Sequence, residues 1–338
     1  MPNMMKALVI HAPHRASIEQ VPYPAPGPDD ITVKVQQCGI CGTDFHIFEG
    51  EFLSPYPIIP GHEFSGIVHE VGSHVRHLKP GDRVAVDPTL FCGECDYCRT
   101  NRFNQCEQWG ALGNTTDGSM AEYVRVPARN AFVMPDEMTF LEGAFIEPFA
   151  CVVHGMNRLQ VQAGDRVLLF GAGAMGLQII QAVAHLGASE LVAVDLSPSK
   201  LEMAKALGAT LVYSAAQADE LRKAYPQGFD VVVDVTGVPS VIESAFNYMG
   251  RAAKFLQFGV TAKDARVSIN PFSVYNNDWT ILGSMAINNT FLPAFRWVKE
   301  GRIRLAPLVT HTLSLEEVPA LLAGQRDPDM LKAQIVMN

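Results

Sequence analysis

Short apolar and alternating runs punctuate the chain as far as about residue 148. Residues 5–10 (MKALVI), 31–37 (ITVKVQQ) and 67–71 (IVHEV) read as strands. Turn-forming stretches such as Pro22-Tyr23-Pro24-Ala25-Pro26-Gly27-Pro28 separate them. The pattern then changes. Residues 166–171 (RVLLFG) form a continuous apolar run that reads as a buried strand. A helix is expected at about 174–186, a strand at 190–195 (ELVAVD) and a helix at about 198–207. Further strands are expected near 211–213, 230–234 and 253–258. Strands alternating with helices imply βαβ units and a parallel sheet. After about residue 283 the chain returns to mixed character, and the apolar stretch Trp279 to Ile287 reads as one more strand, at a sheet edge or inside it. The fold class is α/β, with a strand-rich region followed by a doubly wound one.

Composition adds boundaries to this picture. A chain of 338 residues holds two domains at roughly 100–200 residues each. With 48% hydrophobic residues it can build a core in both. A net charge of −9 argues against nucleic acid or an anionic membrane surface as partner. No apolar run approaches the roughly 20 residues of a membrane span. Between Met1 and Arg15 the apolar patch is Ala7 to Ile10, too short for a signal-peptide core, so it reads as a first strand and a cytoplasmic location is expected. The seven cysteines agree: the number is odd, and they cluster instead of spreading as a disulfide framework would.

Four of them carry a pattern. Cys92, Cys95, Cys98 and Cys106 form C-x2-C-x2-C-x7-C. Two-residue spacers let a tight loop aim successive thiolates at one point, and Gly93 allows the turn. Tetrahedral zinc fits this spacing, and an iron–sulfur cluster is the competing reading. Four free surface thiols would be the bland one. Four thiolates saturate tetrahedral zinc and leave no position for substrate, so such a site is structural and chemistry belongs elsewhere.

The second region offers Gly171-Ala172-Gly173-Ala174-Met175-Gly176. G-x-G-x-x-G alone is weak, and a ligand-free strand–helix turn would explain it. Here it follows an expected strand, opens an expected helix, and is followed at the end of the next strand by Asp195. That context makes it a dinucleotide fingerprint. Gly171, Gly173, Met175 and Gly176 would lie along the pyrophosphate, at a helix N-terminus that offers free N–H groups. Asp195 would accept hydrogen bonds from ribose hydroxyls and repel a 2′-phosphate, which favours NAD over NADP. Lys200 is a further candidate for the ribose.

The first region holds a looser constellation: Cys41 in CGICGTDFH, His62 and Glu63 in GHEFSG, and Glu147 in IEPF. Singly, each has an ordinary reading as a packed thiol or a satisfied polar group. Together, a thiolate, an imidazole and one or two carboxylates suit zinc with an exchangeable position. Cys38 and Cys151 are left over and read as packing residues.

In this order and combination the motifs resemble the zinc-dependent medium-chain dehydrogenase/reductase family, in its sorbitol and polyol branch. The resemblance covers essentially the whole chain. It implies a GroES-like catalytic domain at 1–148 and 284–338 with a structural zinc lobe near 88–107, interrupted by a Rossmann NAD-binding domain at 149–283. It implies two zinc ions per chain, one catalytic and one structural. Cys41 and His62 match catalytic zinc ligands. Glu63 matches an acidic residue that ligates in sorbitol-dehydrogenase-like members, and Glu147 a carboxylate that meets the metal directly or through water. Thr43 matches the hydroxyl of a proton relay, and His46 a later relay member. Cys92, Cys95, Cys98 and Cys106 match the structural lobe.

The implied reaction is oxidation of a secondary alcohol of a polyol such as arabinitol, xylitol, altritol, galactitol or sorbitol to the ketose, with hydride transfer to NAD. Where sorbitol dehydrogenase carries an Arg that touches the polyol, the matching position is Ala286, which favours another polyol or a sugar acid. Threonine 3-dehydrogenase shares CGICGTD-x-H, but its counterpart of Glu147 is typically Asp. A catalytically inactive zinc-containing binding protein is the reading from another class, and the complete set Cys41, Thr43, His62 and Glu63 opposes it. Relatives are homodimers or homotetramers.

Overall fold

The structure, a computed structural model, describes residues 3–325, 327 and 329–337. The chain forms two compact units: Met1–Ala150 with Ile287–Asn338, and Cys151–Ala286.

In the first unit, β1 (Met4–Ala12) and β2 (Arg15–Pro22) form an antiparallel pair. The next strand, β3 (Asp30–Gly39), is central. It turns Ile31, Val33 and Val35 into the core and Lys34 outward, the period of two that a half-buried strand requires. After α1 (Gly42–Glu49) come β4 (Glu63–Val71) and β5 (Arg83–Val86). The cysteine lobe contains β6 (Thr89–Leu90), α2 (Asp96–Arg99) and β7 (Gly110–Ala111). Then follow β8 (Tyr123–Pro127), β9 (Ala131–Val133), α3 (Phe140–Ala144) and α4 (Ile146–Leu159), which belongs to the second unit from Cys151 onward.

The second unit runs β10 (Arg166–Phe170), α5 (Ala174–Leu186), β11 (Glu190–Asp195), α6 (Pro198–Ala206), β12 (Leu211–Ser214), α7 (Ala218–Ala224), β13 (Phe229–Asp234), α8 (Pro239–Ala245), β14 (Met249–Gln257), α9 (Pro271–Asn276) and β15 (Thr280–Gly283). Its six strands are parallel in the order β12-β11-β10-β13-β14-β15. The order reverses between β10 and β13, and ligands bind beyond the strand C-termini at such a switch point. Val167, Leu168 and Leu169 are fully buried, as a strand covered on both faces demands.

The chain then returns to the first unit with α10 (Phe291–Lys299), β16 (His311–Leu313), α11 (Val318–Leu322) and β17 (Ala333–Val336). The first unit's main sheet has the order β16-β17-β3-β4-β5-β9, with β8 also on β3. The last strand therefore lies beside the segment that leads into Cys41.

Two sequence expectations need correction. The strand read from Trp279 to Ile287 is only Thr280–Gly283, and it is an edge. Ala286 has φ 48°, a left-handed value that ends extended structure. The helix Ile146–Leu159 was not anticipated: Pro148 falls in its first turn, where a missing N–H costs nothing. Among the described residues no helix is long and apolar enough to cross a membrane.

Candidate active site and metal centres

Cys41 closes the extended segment after β3 and caps α1. Its backbone N–H donates to Asp44 Oδ2 at 2.8 Å. His62 and Glu63 stand where the chain enters β4, after Gly61 with φ 97°. No side chain fits at Gly61: an added Cβ would lie 2.8 Å from the Met120 backbone nitrogen. Ser119 and Met120 donate their N–H groups to Gly61 and Pro60, which fixes the approach to His62.

These elements bring Cys41, His62 and Glu63 together. One ligand atom from each lies within 4.8 Å of the other two. His62 and Glu63 are buried. Glu147, in the first turn of α4, is buried as well. Burial pushes its carboxyl up to about 7; the His62 imidazole works against this, and the Glu63 charge adds to it. Thr43 Oγ1 lies 3.7 Å from Cys41 Sγ. His46 sits in the last turn of α1, with Nδ1 2.7 Å from Glu51 Oε2.

Two residues at this site carried no role in the sequence reading. Asp44 is fully buried, with Oδ1 3.6 Å from His62 Nδ1. Its place three residues after Cys41, where a side chain reaches back to a helix N-cap, was a legible signal. Lys332 is also buried, and its Nζ lies 2.7 Å from Oε1 and 2.6 Å from Oε2 of Glu63. It precedes β17, 269 positions along the chain from Glu63, so no local pattern could announce it.

The cluster fits a divalent cation. Asp44, Glu63, Glu147 and Cys41 are four acidic groups gathered around His62 and Lys332. Asp44 Oδ1 and His62 Nδ1 are buried without a hydrogen-bond partner, which is costly unless something else compensates them. Burial works against the imidazolium of His62, yet Asp44, Cys41 and Glu147 raise its pKa well above the ordinary value. A pocket that would draw a proton onto a buried histidine is a pocket short of positive charge. Its sulfur, nitrogen and oxygen donors suit zinc.

The lobe fits a second metal. Sγ of Cys92 lies 3.9 Å from that of Cys98 and 3.5 Å from that of Cys106, and Cys95 Sγ is 4.0 Å from Cys106 Sγ. Zn–S bonds of about 2.3 Å at tetrahedral angles put sulfurs about 3.8 Å apart. The backbone N–H groups of Glu94 and Cys95 donate to Cys92 Sγ, and that of Gln108 to Cys106 Sγ. Backbone N–H bonds from Glu107 and Cys98 draw the Cys95 thiol down to about 6, while burial pushes the Cys98 thiol up to about 12.

In the second unit the glycine loop leaves β10 for α5. Gly171 has φ 99°, and a Cβ on Gly176 would lie 1.9 Å from the Gly171 carbonyl oxygen. A Cβ on Gly173 would meet nothing within 4 Å, so the loop is open at the N-terminus of α5, where free N–H groups can receive phosphates. Met175 lies in the first turn of α5 and Lys200 in that of α6. Asp195 does two things at once. Its Oδ2 accepts the Ala172 N–H at 2.7 Å and its Oδ1 the Ser197 N–H at 2.9 Å, so it shapes the loop. The turn after β13 was missed by the sequence reading. There the buried Asp234 accepts from Thr236 Oγ1 at 2.6 Å and Gly237 N–H at 3.0 Å, bringing this turn beside Gly171.

A glycine-rich strand–helix loop in one unit, and in the other a thiol–imidazole–carboxylate cluster whose His62 and Glu63 are buried and Cys41 half-buried, are parts expected of a nicotinamide-linked, metal-assisted dehydrogenase. Comparison with known proteins agrees. Residues 27–136 match the alcohol dehydrogenase GroES-like domain and residues 174–300 the zinc-binding dehydrogenase domain. D-arabinitol dehydrogenase 1 of Uromyces fabae is 34% identical over 345 residues, covering 100% of this chain and 99% of its own. Sorbitol dehydrogenase of Bacillus subtilis is 32% identical, covering 100% and 98%. The crystal structure of a zinc-binding dehydrogenase from Sinorhizobium meliloti bound to NADP superposes with a TM-score of 0.96 at 34% identity, covering 99% of this chain and 100% of that one. The chain belongs to the zinc-binding dehydrogenase family of oxidoreductases, with a GroES-like domain and a Rossmann-like parallel sheet.

Proposed function

We propose that this protein oxidises a secondary hydroxyl of a sugar alcohol to the ketose, with NAD as acceptor. The observation that carries the reading is the convergence of half-buried Cys41 with buried His62 and Glu63 in a cluster with an excess of acidic groups. The arabinitol and sorbitol relatives support polyols as the substrate class.

A zinc ion bound there supplies Lewis acidity that makes an alcohol proton easy to remove, and the dinucleotide supplies the hydride acceptor. The chain's residues do the rest. Cys41, His62 and Glu63 hold the metal, with Glu147 beside them. Asp44 holds the Cys41 backbone N–H and sets its other oxygen 3.6 Å from His62 Nδ1. Thr43 Oγ1 takes the hydroxyl proton and passes it toward His46. Glu51, at His46 Nδ1, leaves Nε2 as the acceptor of that proton. Cys92, Cys95, Cys98 and Cys106 hold a structural zinc.

Asp195 places a negative charge at the end of β11, and this favours NAD over NADP. The thiolate lobe requires a reducing compartment, so the cytoplasm is the proposed location. The free edge of β15 exposes Ile281, with Phe272 and Tyr275 exposed on the preceding α9, and a second copy that pairs there gives a homodimer.

The test is NADH formation from NAD with C4–C6 polyols, sugar acids and L-threonine, with and without a zinc chelator. Chelator-sensitive turnover of one polyol stereochemical series is expected. Turnover of threonine alone, or of sugar acids alone, would replace the substrate reading. Turnover of none would leave the inactive binding protein.

A further inference from the structure

The chain returns from the second unit to the first through residues 284–290, and that segment is fastened to the cysteine lobe. Asn288 Oδ1 accepts the Phe103 backbone N–H at 3.0 Å, and Asn288 Nδ2 donates to the Asn101 carbonyl at 3.1 Å. Both partners lie in the seven-residue span between Cys98 and Cys106. A carboxamide offers a donor and an acceptor at one tip, so it can grip an N–H and a C=O of one loop together; leucine and aspartate, of similar shape, cannot.

The gripped pieces need such a tie. Ala286 has φ 48° and Asn289 φ 57°, and in the lobe Asn101 has φ 60°. Asparagine tolerates that region, whereas alanine persists there only where its surroundings hold it. The segment has other anchors on both sides: Ser284 N–H donates to the Gln257 carbonyl at 3.2 Å, Ile287 is buried, and Thr290 Oγ1 donates to the Ala150 carbonyl at 2.7 Å. The lobe is small. Phe103 stacks on Phe91 with ring centroids 4.4 Å apart, Asn104 is buried, Arg102 N–H donates to the Tyr97 carbonyl at 2.8 Å, and the ends of the span meet at the four cysteine sulfurs. Elements of this kind take their order from a metal.

We propose that Asn288 is a positioning residue that couples the cysteine lobe to the returning segment, so that metal loading of the lobe sets the order of residues 284–290. The lobe metal then governs a part of the chain that contributes none of its ligands. This inference does not depend on which substrate the enzyme takes.

The experiment is hydrogen–deuterium exchange read by mass spectrometry on the full zinc-loaded chain. It compares wild type, Asn288→Ala, Cys95→Ser and the double variant, with zinc counted in each. Asn288→Ala should speed exchange of the 284–290 amides by roughly tenfold, the effect of one or two hydrogen bonds. Cys95→Ser, with one zinc fewer, should speed the same amides, and the double variant should go no further than either single one. Unchanged exchange in Asn288→Ala overturns the proposal. So do two effects that multiply, since independent perturbations are not a coupling. If Cys95→Ser does not fold, stepwise zinc removal replaces it. Wild type should then loosen at 284–290 as the lobe zinc leaves, while Asn288→Ala should show no added response there; an equal response in both proteins overturns the proposal.

Discussion

Lys332→Met tests the electrostatics of the buried cluster. In the structure the ammonium touches both oxygens of Glu63, and the two side chains are 7% and 1% exposed. Solvent therefore screens neither charge. Methionine keeps most of the stem's volume and removes the charge. Glu63 is left buried among Asp44, Glu147 and Cys41 without its counter-ion. Breaking a buried pair this way costs about 3–5 kcal/mol, because the remaining carboxylate keeps its desolvation penalty. For a folding unit of about 200 residues each kcal/mol moves Tm by about 2–4 °C, so metal-free Lys332→Met should melt about 6–20 °C below equally treated wild type. A cation in the cluster supplies positive charge beside Glu63, so the gap should narrow in zinc-loaded protein. Adding Glu63→Gln to Lys332→Met should recover more than half of the metal-free loss. Scanning calorimetry of the three proteins, with and without zinc, reads all of this. A metal-free Lys332→Met that stays within about 1 kcal/mol of wild type would refute the reasoning, since an unpaired charge at this depth cannot be that cheap.

Three further outcomes follow from the geometry. Gly176→Ala should abolish NADH binding, read by fluorescence titration, because its Cβ would lie 1.9 Å from the Gly171 carbonyl oxygen. Asp195→Ser should narrow the ratio of kcat/KM for NAD over NADP by at least tenfold, about 1.4 kcal/mol, and weaken both cofactors, because Asp195 also holds the Ala172 N–H. His154 is buried in α4, and burial, with Arg158 adding to it, lowers its pKa to about 4. Its unfolded value is about 6.5, so below that pH the unfolded chain takes up a proton that the folded chain refuses. This contribution therefore lowers stability as pH falls from 6.5 toward 4, by about 2 kcal/mol after allowance for solvent screening. His154→Asn should lose that part of the slope in urea titrations at pH 7 and pH 5, and an unchanged slope would count against the burial argument.

Much of this molecule is legible in its sequence where the cause is local. RVLLFG must be buried on both faces, and a fingerprint glycine tolerates no Cβ, so β10, the loop and α5 could be read from adjacent residues. The cysteine lobe is local too, since its spacers alone set the geometry. Cys41, His62 and Glu63 were legible as a set of donor types; their convergence depends on β3 pairing with β4. What escaped lies further apart or runs against a local rule. Lys332 reaches Glu63 only because β17 pairs with β3. Asn288 looks like any polar loop residue until Asn101 and Phe103 are brought to it. The helix Ile146–Leu159 was hidden by Pro148, which marks a stop everywhere except in a first turn. The Trp279 to Ile287 stretch stayed apolar past its structural end, because Ile287 is buried without being in a strand.

The most direct test of the central claim is a zinc count on wild type and on His62→Ala, each assayed with NAD and the polyol panel. Two zincs per chain in wild type are expected, with one lost in His62→Ala along with polyol oxidation, while the circular dichroism of the folded chain is retained. One zinc per chain in both proteins, or polyol oxidation that survives in His62→Ala, would contradict a catalytic metal at Cys41, His62 and Glu63.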